Sequence, residues 1–231
     1  MSNSTKVKDF KGQSRVLKVC HWCGKKQDPK QKSFQACGRC KEVIYCSKER
    51  QVASWPLHKA PCKASADVKK KIEEGGNPNL TNTIATFKKW HSMHNDALRH
   101  AAVCALNLGY KPKAVNENFL FIEITQKPDH QDLPIKRKYA PTGGFTMTLE
   151  EVESIFRDAN GLAILESFKE SNEHMQKKGG VGIVGVLLEA HGVMDLVKII
   201  LPTPSATKLN QMADNWGEFW LPRLQAAVEA D

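Results

Sequence analysis

The chain has 231 residues, 34 Lys and Arg against 25 Asp and Glu, and seven cysteines. This length allows one ordinary domain with a small one beside it. The N-terminal residues contain no apolar signal-peptide core, and the longest apolar run, 181–188, is too short to span a bilayer. We therefore expect a soluble intracellular protein without membrane contact, and the sequence leaves nucleus or cytoplasm and the oligomeric state open.

The charge is concentrated in the first third of the chain. Residues 1–80 hold 18 Lys and Arg against seven acidic residues, a net charge of +11, and residues 81–231 hold 16 against 18, a net charge of −2. A basic segment favours nucleic acid, acidic proteins or anionic membrane surfaces as partners, or it only keeps a small domain with little core soluble. Nucleic-acid binding through this half of the chain therefore stands as one alternative function.

Residues 1–19 are predicted to be a basic disordered lead-in, and residues 20–62 contain six of the seven cysteines. A module this small cannot bury enough apolar surface to fold without a metal or disulfide. Since paired CxxC motifs in a reducing compartment favour zinc, we predict one or two Zn²⁺ ions here. The spacing reads Cys20-x2-Cys23, Cys37-x2-Cys40-x5-Cys46 and His58-x3-Cys62.

The rest of the chain is predicted to be a linker, residues 63–80, and an α+β domain, residues 81–231. Cys104 is expected to be a buried apolar residue, and His91 and His94 are expected to face solvent. The predicted elements are a helix from Thr81 or Asn82 towards Leu108, a strand over 119–124, a helix after the capping box Thr148-x-x-Glu151, a helix over 162–176, an antiparallel hairpin of 182–189 and 194–201, and a helix over 209–228.

The residues between the metal ligands sharpen the prediction. Val43-Ile44-Tyr45-Cys46-Ser47 and Gln51-x3-Trp55-x2-His58-Lys59-x2-Cys62 resemble a MYND-type zinc finger, and the resemblance covers 20–62 only. The family binds two zincs in a cross-brace, in which alternate ligand pairs share an ion. The resemblance implies one complete site with the ligands Cys37, Cys40, His58 and Cys62. It also implies one incomplete site with the ligands Cys20, Cys23 and Cys46.

At the position of the sixth ligand, where the family has a cysteine, this chain has Arg50. A guanidinium stays protonated and cannot coordinate zinc. The open alternatives are a weakened site, a site completed by water or by His21, and a site without metal. An open position is also the geometry of a catalytic zinc, but no acid or substrate pocket is indicated within so small a module.

The resemblance implies that the finger takes up proline-containing peptides of a protein partner, with Gln51 and Trp55 forming the peptide surface. The opposing interpretation is that Trp55 only covers the helical segment that leads to His58. Enzyme activity in the C-terminal domain is a further alternative. Residues 180–185 fit GxGxxG but are predicted to turn into a hairpin. The asparagine-histidine-serine and terminal tyrosine signatures of SET methyltransferases are not found, and no catalytic residue is assigned.

Overall fold

The computed structural model describes residues 10–75 and 78–230, which form two units, one ending at Met93 and the other beginning at His94. Helices and strands occur in both units, so the α+β prediction is confirmed. Within the described ranges, no helix has the length and apolar character that crossing a membrane requires.

The first unit contains a two-stranded antiparallel sheet and three helices. Strand β1 pairs with β2 in the register Gln35 to Tyr45. Its elements are α1 (Gln13–Val16), β1 (Gln35–Ala36), β2 (Ile44–Tyr45), α2 (Lys48–Glu74) and α3 (Pro78–Met93).

The predicted lead-in differs from the structure over its second half, and residues 1–9 lie outside the described ranges. Phe10 is buried. The Gly12 amide donates to the carbonyl of Glu42 at 3.0 Å, and the Ile44 amide donates to Ser14 Oγ at 3.2 Å. Residues 10–19 are therefore ordered against the finger, because these bonds pair backbone groups of Glu42 and Ile44.

The predicted linker also differs from the structure. Helix α2 continues to Glu74, because residues 63–74 consist mostly of Ala, Lys, Glu and other residues compatible with a helix. Pro56 and Pro61 lie inside α2 and remove two amide donors from its hydrogen-bond ladder. The ladder of α2 therefore has fewer backbone hydrogen bonds than that of a helix of equal length without proline.

The second unit is a four-stranded sheet with helices on both faces. Its strand order is β4-β3-β5-β6, with β3 and β5 parallel and the two outer pairs antiparallel. Its elements are α4 (Asn95–Ala105), β3 (Asn118–Gln126), β4 (Tyr139–Thr148), α5 (Leu149–Asp158), α6 (Leu162–Lys177), β5 (Gly182–Ala190), β6 (Val193–Leu201), α7 (Pro204–Ala213) and α8 (Trp220–Ala230), with 3₁₀ turns at Pro112–Asn116, Ile135–Arg137 and Gly217–Phe219.

Helices α5 and α6 cover one face of the sheet, and α4 and α8 cover the other. Strand β5 is buried along almost its whole length, which explains its unbroken apolar sequence. A Cβ atom added to Gly185 would lie 2.3 Å from the Phe119 ring, so this position requires glycine. One core cluster comprises Phe119, Met147, Val152, Leu165, Phe168, Ile183 and Leu187.

Local sequence signals of the second unit correspond to the structure. The Thr148 side chain accepts a hydrogen bond from the Glu151 amide, and the Glu151 carboxylate accepts one from the Thr148 amide at 2.7 Å. The β5–β6 hairpin turns at His191 and Gly192, both with positive φ. Residues 180–185 lead into strand β5 and not into a helix, so the dinucleotide motif is absent there.

Two long helices predicted from the sequence are each broken in the structure. The helix predicted from residue 81 towards 108 is interrupted at His94, between α3 and α4. The helix predicted over 209–228 is interrupted between α7 and α8, near Gly217, where φ is +48°. His91 and His94 are buried, contrary to the prediction, and His94 Nε2 lies 2.9 Å from the Lys136 carbonyl. One of the two ring nitrogens of His94 is thus paired within the protein and not with solvent.

Candidate metal centre

The first CxxC turn is closed by backbone hydrogen bonds. The Gly24 amide donates to the Cys20 carbonyl at 2.9 Å, and the Cys20 amide donates to the Lys25 carbonyl at 2.8 Å. Gly24 has a φ of +70°, which glycine adopts without strain. The turn brings Cys20 and Cys23 together, with Cys20 buried and Cys23 exposed.

The second CxxC turn repeats this arrangement. The Lys41 amide donates to the Cys37 carbonyl at 3.0 Å, and the Cys37 amide donates to the Val43 carbonyl at 2.9 Å. The residue with positive φ is here Lys41, at +59°. Cys37 and Cys40 are both buried. Two equivalent turns therefore each present a pair of thiols. In the first pair one thiol is exposed, and in the second both are buried.

Helix α2 supplies the other two members of the buried group, because His58 and Cys62 are four residues apart and share one helix face. The Sγ atoms of Cys37 and Cys62 are 3.7 Å apart, and Cys40 Sγ is 3.6 Å from His58 Nε2. Zinc bonds of ordinary length in a tetrahedron would separate two sulfurs by about 3.8 Å, and sulfur from nitrogen by about 3.6 Å. All four donor atoms lie within 4.8 Å of one another and fit a zinc ion.

The second group contains Cys20, Cys23 and Cys46, with the Sγ atoms of Cys23 and Cys46 3.7 Å apart. In residues 10–75 and 78–230, no fourth His, Cys or carboxylate ligand joins these three sulfurs. Arg50 is exposed in the first turn of α2. The three thiols are spaced for zinc, and they differ from the first group in number and in exposure.

The structure places His21 beside the complete group. Its ring centroid is 5.4 Å from that of His58 and 5.9 Å from that of Tyr45. The backbone amide of His21 donates to the Ile44 carbonyl at 2.8 Å. His21 is therefore part of an aromatic cluster and not a member of the three-sulfur group.

Cys40 and Cys37 in the first group and Cys46 in the second have perturbed pKa values. Burial raises the pKa of Cys40 to about 12, and burial together with the sulfurs of Cys20 and Cys23 raises that of Cys46 to about 11. Burial also raises the pKa of Cys37, but hydrogen bonds from the backbone of Cys40 and its neighbour outweigh it, and the net shift is downward. Metal binding must therefore displace protons from Cys40 and Cys46.

The structure brings Gln51 and Trp55 to one face of α2, one helical turn apart. Trp55 is 39% exposed, and its ring packs edge-on at 6.1 Å from the ring of His58. Gln51 is half-buried, and its Oε1 accepts a hydrogen bond from Lys48 Nζ at 3.4 Å. An exposed indole thus contacts a candidate zinc ligand directly.

Glu42 stabilises the finger and was not predicted from the sequence. The carboxylate of Glu42 accepts a hydrogen bond from Ser65 Oγ at 2.5 Å and lies 3.5 Å from Lys88 Nζ. Both Glu42 and Lys88 are largely buried, so the pair ties the second CxxC turn to α2 and α3. In the sequence, the acidic character of Glu42 is the only sign of this role. Its partner Lys88 lies 46 residues later in the chain, so no local pattern indicates the pair.

Comparisons with known proteins agree with this geometry. The MYND finger family matches residues 20–62. The N-lysine methyltransferase SMYD2 of Mus musculus is 24% identical over 179 residues, which cover 72% of this chain and 40% of that protein. SMYD2 of Rattus norvegicus is 25% identical with the same coverage, and SMYD2 of Bos taurus is 23% identical over 189 residues, 77% of this chain and 41% of that protein.

The chain thus spans about two fifths of the length of these curated relatives. No solved structure matches it significantly. The family match and the two ligand groups cover the same residues, and a MYND finger binds zinc. Residues 20–62 of this chain are therefore a MYND-type zinc finger.

Proposed function

We propose that the finger binds a short proline-containing segment of a partner protein through Trp55 and Gln51. The exposure of Trp55 carries the proposal, because a large indole surface is usually buried unless a partner covers it. A flat aromatic face packs well on a proline ring, and a polyproline II segment loses little conformational entropy on binding. Gln51, one turn earlier, can offer an amide to the peptide backbone.

The contact between Trp55 and His58 supports a dependence on zinc. His58 is buried and has its Nε2 3.6 Å from Cys40 Sγ, in the group that fits a zinc ion. Coordination would fix the imidazole, and the indole packed against it would then have fewer accessible rotamers. A pre-ordered anchor binds more tightly, because less side-chain entropy is lost on binding.

Charge around the indole favours an acidic neighbourhood in the partner. Lys48, Arg50 and Lys59 are all exposed on α2, within two turns of Trp55. Such charges increase the association rate for acidic segments and contribute less to affinity at physiological salt. We therefore propose that acidic residues flank the proline in the preferred peptide.

The test is fluorescence polarisation with a set of labelled proline-containing peptides and their proline-to-alanine counterparts. Trp55→Ala should weaken binding by about 30-fold, as expected for a central aromatic anchor worth about 2 kcal/mol. Val68→Ala is the matched control, since Val68 is an exposed apolar residue farther along the same helix. Unchanged binding by Trp55→Ala with its zinc content intact would refute the proposal.

The same polarisation assay, with labelled duplex DNA or RNA in place of the peptide, tests the nucleic-acid alternative. Lys48, Arg50, Lys59 and Lys63 are exposed on α2 and could contact phosphates. Binding dominated by phosphate contacts falls steeply between low and moderate salt. We expect duplex DNA or RNA to bind weakly and without sequence preference. A tight complex with a steep salt dependence that survives Trp55→Ala would favour nucleic acid over the peptide.

A second candidate function is methyl transfer to a lysine. One observation favours it, because the match with the N-lysine methyltransferases covers 179 residues and extends well beyond the finger. Against it, the sequence lacks the signatures expected of a SET domain. Incubation of the full chain with labelled S-adenosylmethionine and a panel of protein substrates tests it, and transfer of label above a heat-denatured control would establish the activity.

A further inference from the structure

We infer that the Cys20–Cys23–Cys46 group holds zinc with three protein thiolates and receives a fourth thiolate from outside the chain. Three observations point to this arrangement. The sulfurs are spaced for a tetrahedral ion, one side of the group is exposed, and the chain supplies Arg50 where a fourth donor would come from α2.

The fit of the three sulfurs to zinc rests on their geometry. Cys23 Sγ and Cys46 Sγ are 3.7 Å apart, close to the edge of a zinc–sulfur tetrahedron, and Cys20 Sγ lies within 4.8 Å of both. The same 3.7 Å separation occurs between Cys37 and Cys62 in the four-donor group. Both groups are therefore compatible with the same ion.

The fourth donor does not come from the neighbouring side chains. Arg50 is in the first turn of α2, and its guanidinium has no lone pair for a metal. His21 has its ring against those of His58 and Tyr45. Among the residues that the structure describes, the three-sulfur group gains no further ligand.

Exposure distinguishes the two groups and makes the open position accessible. All four residues of the complete group are buried, whereas Cys23 is exposed and Cys46 is partly exposed. A donor from solution can thus approach the second group from the side of Cys23. Zinc with three protein ligands keeps such a position for an added ligand.

The local charge selects an anionic donor. Helix α2 begins with Lys48, Glu49 and Arg50, a net charge of +1 that starts two residues after Cys46, so this charge and the positive N-terminal end of the helix belong to the same short segment as the ligand. Three thiolates and Zn²⁺ carry a net charge of −1, and a fourth thiolate makes it −2. A nearby cation and helix terminus lower the cost of this second negative charge and favour a thiolate over a neutral imidazole. The incoming thiol releases its proton to solvent, and no atom changes its oxidation state.

The test uses the full chain loaded with Co²⁺, which gives a thiolate-to-metal absorption proportional to the number of Co–S bonds. The wild-type protein, kept reduced with a phosphine, is titrated with 2-mercaptoethanol. The two groups contribute three sulfurs each, so a seventh Co–S bond should raise the absorption by about one sixth. The change should saturate at one thiol per chain.

Two variants control the experiment. Arg50→Cys supplies the fourth thiolate internally, and its absorption should start at the higher value and not respond to added thiol. Arg50→Ala removes the guanidinium without adding a donor and should still respond, with weaker thiol binding. A response in Arg50→Cys equal to that of wild type, or a wild type that binds only one metal ion by native mass spectrometry, would overturn the inference.

A second titration identifies the source of the thiol. A short capped peptide with a single cysteine replaces 2-mercaptoethanol, and the same peptide with serine is the blank. A saturable response to the cysteine peptide means that a protein cysteine can complete the site. A response to 2-mercaptoethanol alone means that only small thiols reach it, and no response to either contradicts the proposal.

Discussion

Replacing one cysteine in each ligand group by serine should have very different consequences. Cys62 is fully buried in the four-donor group, whereas Cys23 is exposed in the three-sulfur group. Structural zinc sites contribute about 10–16 kcal/mol to finger peptides, so one ligand of four is worth about 2.5–4 kcal/mol. Cys62→Ser should therefore lower the affinity of that group for zinc roughly 10²- to 10³-fold and destabilise the finger correspondingly.

Cys23→Ser should remove one zinc and leave the other as tightly held as in wild type. Only two thiols would remain in its group, while Cys37, Cys40, His58 and Cys62 are untouched. Native mass spectrometry gives the number of zinc ions, and competition with a chromophoric chelator gives the affinity of each. Thermal unfolding of the same samples reports the cost to the fold.

The paired design also tests how the ligands are divided. If Cys23→Ser lost both ions, or if Cys62→Ser kept both at wild-type affinity, the assignment of ligands to two separate groups would be wrong. Serine is nearly isosteric with cysteine, so neither substitution adds a steric conflict. The comparison therefore isolates the donor atom.

Three further predictions concern the backbone at Lys41, the packing of the sheet at Gly185 and the pH dependence of zinc binding. Lys41→Gly should stabilise the zinc-loaded finger by up to about 1 kcal/mol in denaturant unfolding, because φ is +59° there; a loss of stability would contradict this. Gly185→Ala should cost about 1–3 kcal/mol, since the added Cβ would lie 2.3 Å from the Phe119 ring; an unchanged unfolding midpoint would refute it. Zinc affinity should fall about tenfold per pH unit for each displaced proton as the pH falls, because the pKa values of Cys40 and Cys46 are raised to about 12 and 11; pH-independent chelator competition would exclude this coupling.

Short-range features of this protein could be predicted from its sequence, because their causes are local. Two residues between cysteines are enough to close a turn, and this places Cys20 beside Cys23 in the structure. Thr148 and Glu151 form their capping box within one helical turn. The β5–β6 hairpin follows from two apolar runs and a glycine between them.

Features that depend on longer-range packing could not be predicted, because one sequence pattern is compatible with several structures. The apolar spacing from 81 to 108 continues past His94, where the structure ends one helix and begins another. The composition of 63–74 suits a charged linker as well as a helix, and packing around Ile72, which is buried, accompanies the helix. The ion pair between Glu42 and Lys88 joins residues far apart in the chain, which no local pattern can indicate.

The length of α2 has a mechanical consequence. After Cys62 the helix continues for 12 residues to Glu74, a rise of roughly 18 Å. An α-helix held by a metal at one end fixes the direction of its own remaining residues and the face on which each of their side chains lies. Inserting one residue between Cys62 and Glu74 would rotate the residues of α2 beyond the insertion by about 100°, whereas inserting seven would nearly restore their original faces. The metal ligands on α2 therefore also determine which side chains of 63–74 lie on the same helix face as His58 and Cys62.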